Sequence, residues 1–117
     1  MCIRDSAIQR SRDFVDTMLE RGDRIYGVTT GFGRLAEVVI DPDRQTELQR
    51  NLVRSHASGM GDLLPEAEVR AMLLLRANAL SRGDSGCRVV VVRRILDLLN
   101  HEIHPEVPEQ GLSLIHI

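Results

Sequence analysis

The sequence predicts a mainly α-helical fold on three observations: apolar residues recur at helical spacing in four stretches, prolines stand where helices start, and glycines stand where they end. Ile8, Phe14, Val15, Met18 and Leu19 form the first stripe, with charged residues between them and Gly22 beyond the last turn, so a helix over about 7–21 is expected. Ile25 to Thr29 has the β-branched and aromatic character of a short extended segment, and Gly27, Gly31 and Gly33 make a glycine-rich loop near 25–33. Asp41-Pro42 reads as a cap and first-turn proline of a second helix, striped by Leu48, Leu52 and Val53 and ending near Gly59. Pro65 opens a third, with Glu66 and Glu68 at the positive end of its dipole; Val69, Met72, Leu73, Ala79 and Leu80 face a core, and Arg82-Gly83 closes it. Ser85 is placed to cap a fourth, whose apolar face is Val89, Val92, Ile95, Leu96 and Leu99 and which ends at Asn100. The valines at 89–92 also suit a strand, but the pattern continues for two more turns with Arg93, Arg94 and Asp97 toward solvent, which favours the helix.

Composition bounds the function. A chain of 117 residues with 43% hydrophobic and 27% charged residues is ordinary for a soluble globular protein. A net charge of -2 with 3% aromatics offers nucleic acid neither a basic surface nor stacking platforms, so no nucleic-acid partner is expected. Without a long apolar run or a basic segment followed by one, no membrane association is expected, and the protein is placed in the cytoplasm. Cys2 and Cys87 read as two unrelated thiols. Several helices apolar on more than one side leave surface for a larger body to cover, although an independent small bundle stays open.

Chemistry has few candidates. Tyr26 puts a phenol on a run too glycine-rich to pack as a helix; a phenol titrates about three units above neutrality and serves as a base only where a site assists it. On spacing alone it reads as a structural tyrosine beside a glycine. His56, on or next to an apolar stripe, could donate, accept or orient, and alone it reads as a satisfied core histidine. Arg76 breaks an apolar face and is the arginine best placed to be buried and paired, with a solvated side chain as the plainer reading. His101 and His104 could share a metal only with a third ligand that the neighbouring sequence does not offer, so no metal is expected. Lacking a Gly-Lys-Ser/Thr ending, the glycines at 27, 31 and 33 do not make a phosphate cradle.

Four strings fall in one order: Tyr26-Gly27-Val28-Thr29-Thr30-Gly31-Phe32-Gly33, then Asn51-Leu52-Val53-Arg54-Ser55-His56-Ala57-Ser58-Gly59-Met60-Gly61, then Arg70 to Leu80 with Gly83 and Ser85-Gly86, then Pro105 to Gly111. Together they resemble the aromatic amino acid lyase family, and within it the histidine ammonia-lyases. The resemblance implies the N-terminal part of a larger all-α lyase, covering 7–111 as a partial domain, with Met1–Ser6 and Leu112–Ile117 as non-native ends. It implies a parent enzyme that eliminates ammonia from L-histidine to give urocanate, with Tyr26 as catalytic base and His56 as a second catalytic residue that faces the substrate side chain and orients it or relays a proton. Gly33 and Ala57 would keep room beside the substrate, and His56-Ala57 looks like the histidine-specific pair. The family's cofactor, a methylidene-imidazolone (MIO), forms from an Ala-Ser-Gly expected beyond residue 111. Ala57-Ser58-Gly59 stands in the wrong context, so this chain is expected to hold no cofactor and to be inactive. The parent would be a homotetramer acting on a small amino acid, and the isolated chain is expected to be poorly stable and to self-associate. A phenylalanine or tyrosine lyase, an aminomutase, or a non-catalytic helical interaction module are the other readings.

Overall fold

All four apolar stripes fold as helices. The computed structural model describes residues 3–111, with side chains from Asp5 onward, and among these residues the α-helices are α1 (Ile3–Glu20), α2 (Gln45–His56), α3 (Glu66–Leu80) and α4 (Val89–Asn100). Met1, Cys2 and 112–117, on which much of the expectation of non-native ends rests, lie outside the described residues. None of the described helices is long and apolar enough to cross a membrane. The chain divides into two compact units, one built from the residues up to Asp16 together with Gly61–Glu109, the other centred on Thr17–Met60.

In the first unit, Ile8 of α1, Ala77 of α3 and Val92 of α4 are buried against one another, with Leu80, Cys87, Val89 and Ile95 packed around them. One residue from each helix meets at this point, while Phe14, Met72, Ala79 and Leu96, expected to face a core, are exposed. Asp5 of α1 accepts from Arg93 of α4 at 2.9 Å. Along α1, Arg12 pairs with Asp16, and that hydrogen bond, reinforced by the charges of Arg12 and Arg88 and opposed by burial, holds the Asp16 carboxyl below its usual value.

Two expectations about the helix ends are corrected. Ser85 does not cap α4, which begins at Val89 after an extended Arg88 with no side-chain cap. The turn before it is spent on α1 instead: the Gly86 N–H donates to Ser11 Oγ at 2.9 Å, and Gly83 and Gly86 take φ of +82° and +60°. A Cβ on Gly83 would lie 2.7 Å from the Ala7 carbonyl carbon, so glycine is required both for the backbone angle and for the close approach. Gly83→Ala is accordingly expected to cost about 2–3 kcal/mol in urea unfolding. A shift under about 0.5 kcal/mol would show that the turn relaxes away from α1.

The other correction concerns α2, which stops at His56 rather than near Gly59 because a strand follows at once. That strand, β1 (Met60–Leu63), pairs with β2 (Pro108–Gln110), and the Leu64 N–H extends the pairing to Val107 O at 2.8 Å. Neither strand is visible in the sequence, since three or four residues without alternation carry no period.

Of the two arginines on α3, Arg70 is half-buried and paired, and Arg76 follows the plainer, solvated reading. Arg70 donates to His104 Nε2 at 2.9 Å and reaches Leu99 O at 3.4 Å, while His104 Nδ1 lies 3.5 Å from Glu66. With Nε2 accepting, the proton sits on Nδ1 toward the carboxylate. His104 therefore has both ring nitrogens engaged, and His101 Nδ1 faces the Asp97 carbonyl at 2.8 Å, so the two do not converge on a shared ion. Arg76 is exposed and lines an apolar groove of about 480 Å³ with Met72, Leu75 and Pro105.

In the second unit the expected extended segment is absent. Ile25 to Thr29 is a tight turn in which the Val28 and Thr29 N–H groups both donate to Ile25 O, at 3.1 and 3.0 Å. The cause is Thr29: its hydroxyl accepts from the Ile25 N–H at 2.8 Å and donates to Asp23 O at 3.0 Å, taking the backbone bonds a strand ladder would need. Extended pairing survives only as the antiparallel bridge between Thr30 and Val39. Asp41 makes no side-chain cap either; Pro42–Arg44 forms a 3₁₀ turn that runs into α2.

Candidate active site

Tyr26 stands at the outer edge of this turn. Gly27 beside it takes φ +71°, and a Cβ there would lie 2.6 Å from Phe32 Cε1, so the chain reverses tightly enough to bring Phe32 back against the tyrosine. The two rings meet edge to face, centroids 5.7 Å apart at 75°, the favourable arrangement for aromatic quadrupoles. The Gly33 N–H then donates to Tyr26 Oη at 3.2 Å. The phenol is thus held at its ring by Phe32 and at its oxygen by a backbone amide, while 63% of the residue stays exposed. One lone pair of Oη is engaged and another remains free to accept.

The loop beneath is fixed by its own hydroxyls. Thr29 and Thr30 are buried, and Thr30 Oγ1 accepts from the Gly27 N–H at 3.2 Å while donating to Gly31 O at 3.1 Å. Arg24 also donates to the Glu37 carbonyl across the loop. Gly33, at φ +55°, is exposed, and a Cβ there would meet nothing within 4 Å, so the space beside the phenol is open.

His56 comes from the last residue of α2 and is exposed rather than part of an apolar face. Its Nδ1 lies 2.9 Å from the Leu52 carbonyl, which can only accept, so Nδ1 carries the proton. Ser55 Oγ, 3.1 Å from the same nitrogen, donates to that carbonyl at 3.0 Å. In that tautomer Nε2 carries the lone pair and is the acceptor nitrogen.

The two candidates share one unit without a hydrogen bond between them. They are connected through Gln49, whose Nε2 donates to Gly27 O at 2.9 Å. Seven residues separate Gln49 from His56, which returns to nearly the same helix face about 10 Å along the axis. The α2 face that touches the Tyr26 loop therefore also bears His56. Sequence reasoning missed Gln49, which looks like any solvated helix residue, and the Thr29-Thr30 pair, whose small polar side chains before Gly31 were the available signal.

Ala57 is exposed where α2 ends, and with φ -78° and ψ 64° it centres an inverse γ-turn in which the Ser58 N–H donates to His56 O at 2.9 Å. Ala57, Ser58 and Gly59 all face solvent, with no packing that would compress them toward ring closure. The tripeptide does not fit the family's internal cofactor. Among the described residues no group of three or more His, Cys, Asp or Glu could hold a metal.

The family model for aromatic amino acid lyases matches residues 4–113. Over 105 residues the chain is 50% identical to a histidine ammonia-lyase of Geobacillus sp. (strain WCH70), a match covering 90% of this chain and 21% of that protein. Its structure is similar to tyrosine aminomutase from Streptomyces globisporus, with TM-score 0.90 and 38% identity over 96% of this chain and 21% of that one. Histidine ammonia-lyase from Trypanosoma cruzi is also similar, with TM-score 0.81 and 36% identity over 93% of this chain and 20% of that one. The chain spans about a fifth of the length of the curated relatives it matches.

Proposed function

The chain belongs to the aromatic amino acid lyase family, and from that membership we propose that it is the N-terminal part, over 7–111, of a histidine ammonia-lyase that converts L-histidine to urocanate and ammonia. The observation that carries this reading is a fixed, exposed phenol on the same unit as an exposed imidazole whose Nδ1 is engaged by the Leu52 carbonyl, in a chain half identical to a histidine ammonia-lyase.

In this reading Tyr26 Oη acts as the phenolate, takes the β-proton of the substrate and becomes the phenol; that proton is not acidic and needs a base held at bonding distance. The Gly33 amide and the Phe32 ring edge keep the phenol aimed, so little orientation is lost when substrate arrives. His56 Nε2 accepts the N–H of the substrate imidazole, a bond that its Leu52-fixed tautomer is arranged to make. Gly33 and Ala57 leave room for the amino acid between them. The family's MIO electrophile improves the departure of ammonia; its Ala-Ser-Gly is assigned beyond residue 111, since Ala57-Ser58-Gly59 does not fit. A homotetrameric, cytoplasmic enzyme completes the proposal; the large apolar side chains that α3 and α4 leave exposed, among them Leu74, Leu75 and Val90, are surface for the rest of the enzyme or a neighbouring subunit to cover.

The likeness to tyrosine aminomutase favours a second reading, an aminomutase or lyase acting on tyrosine or phenylalanine. The test is to express the complete enzyme that contains this chain and supply L-histidine, L-tyrosine and L-phenylalanine separately. Urocanate from histidine alone is expected. A β-amino acid from tyrosine would transfer the assignment to the aminomutases, and no turnover of any of the three would leave an interaction module.

A further inference from the structure

Resting on the reading of Tyr26 as the base, we infer that Gln49 is a positioning residue of this site, its side-chain amide tethering the Tyr26 loop to the helix that carries His56. Gly27, the residue next to the base, has both backbone groups taken by side chains: its N–H by Thr30 and its carbonyl by Gln49, at 3.2 and 2.9 Å. The two bonds differ in reach. Those of Thr29, Thr30 and Arg24, like the bridge from Thr30 to Val39, stay within residues 23–40 and shape the loop internally. Among the hydrogen bonds of the described residues, the Gln49 bond alone joins that loop to α2, across 22 positions of sequence.

Chemistry explains the residue type. A carbonyl oxygen needs a donor, and a glutamine amide supplies one without charge at the length the gap requires; a glutamate would face acceptor with acceptor. The Gly27 N–H lies in the peptide plane it shares with Tyr26 and its carbonyl in the next plane, shared with Val28, so with Gly27 at φ +71° the Thr30 and Gln49 bonds together hold the two planes that follow the tyrosine, and the Gln49 bond ties them to α2. Gln49 and His56 lie on one face of α2, so the tether sets the phenol's distance from the imidazole as well as its direction. A loop released from α2 still binds substrate through His56 but presents the phenol at a spread of distances, which lowers kcat more than it raises KM.

The test uses the complete enzyme with Gln49→Leu, Gln49→Glu and Gln49→Lys, reading kcat and KM on L-histidine together with amide exchange of the peptide covering 25–33. Leucine and glutamate are expected to lower kcat about tenfold with KM within about twofold, and to speed exchange in that peptide. Lysine, which restores a donor, is expected to return most of kcat and of the protection. Unchanged kcat in the leucine and glutamate variants, a loss of kcat without faster loop exchange, or a lysine variant no better than leucine would each overturn the assignment. The base reading fails separately, if Tyr26→Phe keeps its parent's turnover, and loop exchange in the Gln49 variants still decides whether the tether exists.

Discussion

Tyr26→Phe in the complete enzyme is expected to lower kcat on L-histidine by about 10²–10⁴-fold, the usual contribution of a positioned general base, with KM within about threefold. The substitution removes one oxygen. The ring stays, so the edge contact with Phe32 at 5.7 Å survives, and Gly27 still turns the chain at φ +71° because neither depends on Oη. The one bond lost inside the protein is that from the Gly33 N–H, which sits on an exposed loop and can turn to water. Stability should therefore barely change while turnover collapses. Steady-state kinetics beside a thermal melt would show this pattern. A variant that keeps kcat within about fivefold of the parent would remove Tyr26 from the chemistry, and a variant that loses both kcat and its folded state would make Tyr26 structural.

The sequence displayed the helices because each carries a stripe several turns long, and a period repeated over 12 or more residues is hard to mistake. It hid what depends on a distant partner. Arg70 and Arg76 look alike on one apolar helix; only the arrival of His104, 34 positions on, makes the first the paired one. The threonine at 29 reversed the expected extended segment through a hydroxyl that competes with the backbone, a local effect that residue propensities average away. Gly83 reads as the ordinary end of a helix, yet its role, like that of Gly86, is set by α1, whose approach no local pattern announces. At the candidate site the glycines marked Tyr26 as belonging to a loop, whereas its role as base, and that of His56, came from resemblance to a family. Gln49 had neither a pattern nor a motif to reveal it.

His56→Leu separates substrate choice from catalysis. The Leu52 carbonyl fixes the proton on Nδ1 and leaves Nε2 as an acceptor, so the residue suits a substrate whose side chain offers an N–H. L-Histidine is such a substrate and L-phenylalanine is not. Where the complete enzyme excludes water from the bound side chain, removing the acceptor leaves the substrate N–H unpaired, an error worth about 2–3 kcal/mol, so kcat/KM for histidine should fall about 30–200-fold. For phenylalanine the same change removes a polar group that had to lose water without a partner, and kcat/KM should hold or rise. Selectivity for histidine thus shrinks by at least about 30-fold even though Tyr26, the proposed base, is untouched. The two substitutions then act on different quantities: loss of Tyr26 lowers turnover of every amino acid alike, whereas loss of His56 changes their ratio. Equal losses on histidine and phenylalanine in the His56 variant would mean that the imidazole serves proton transfer rather than recognition, and Nε2 would have to be reassigned from holding the substrate side chain to relaying the proton that Tyr26 removes.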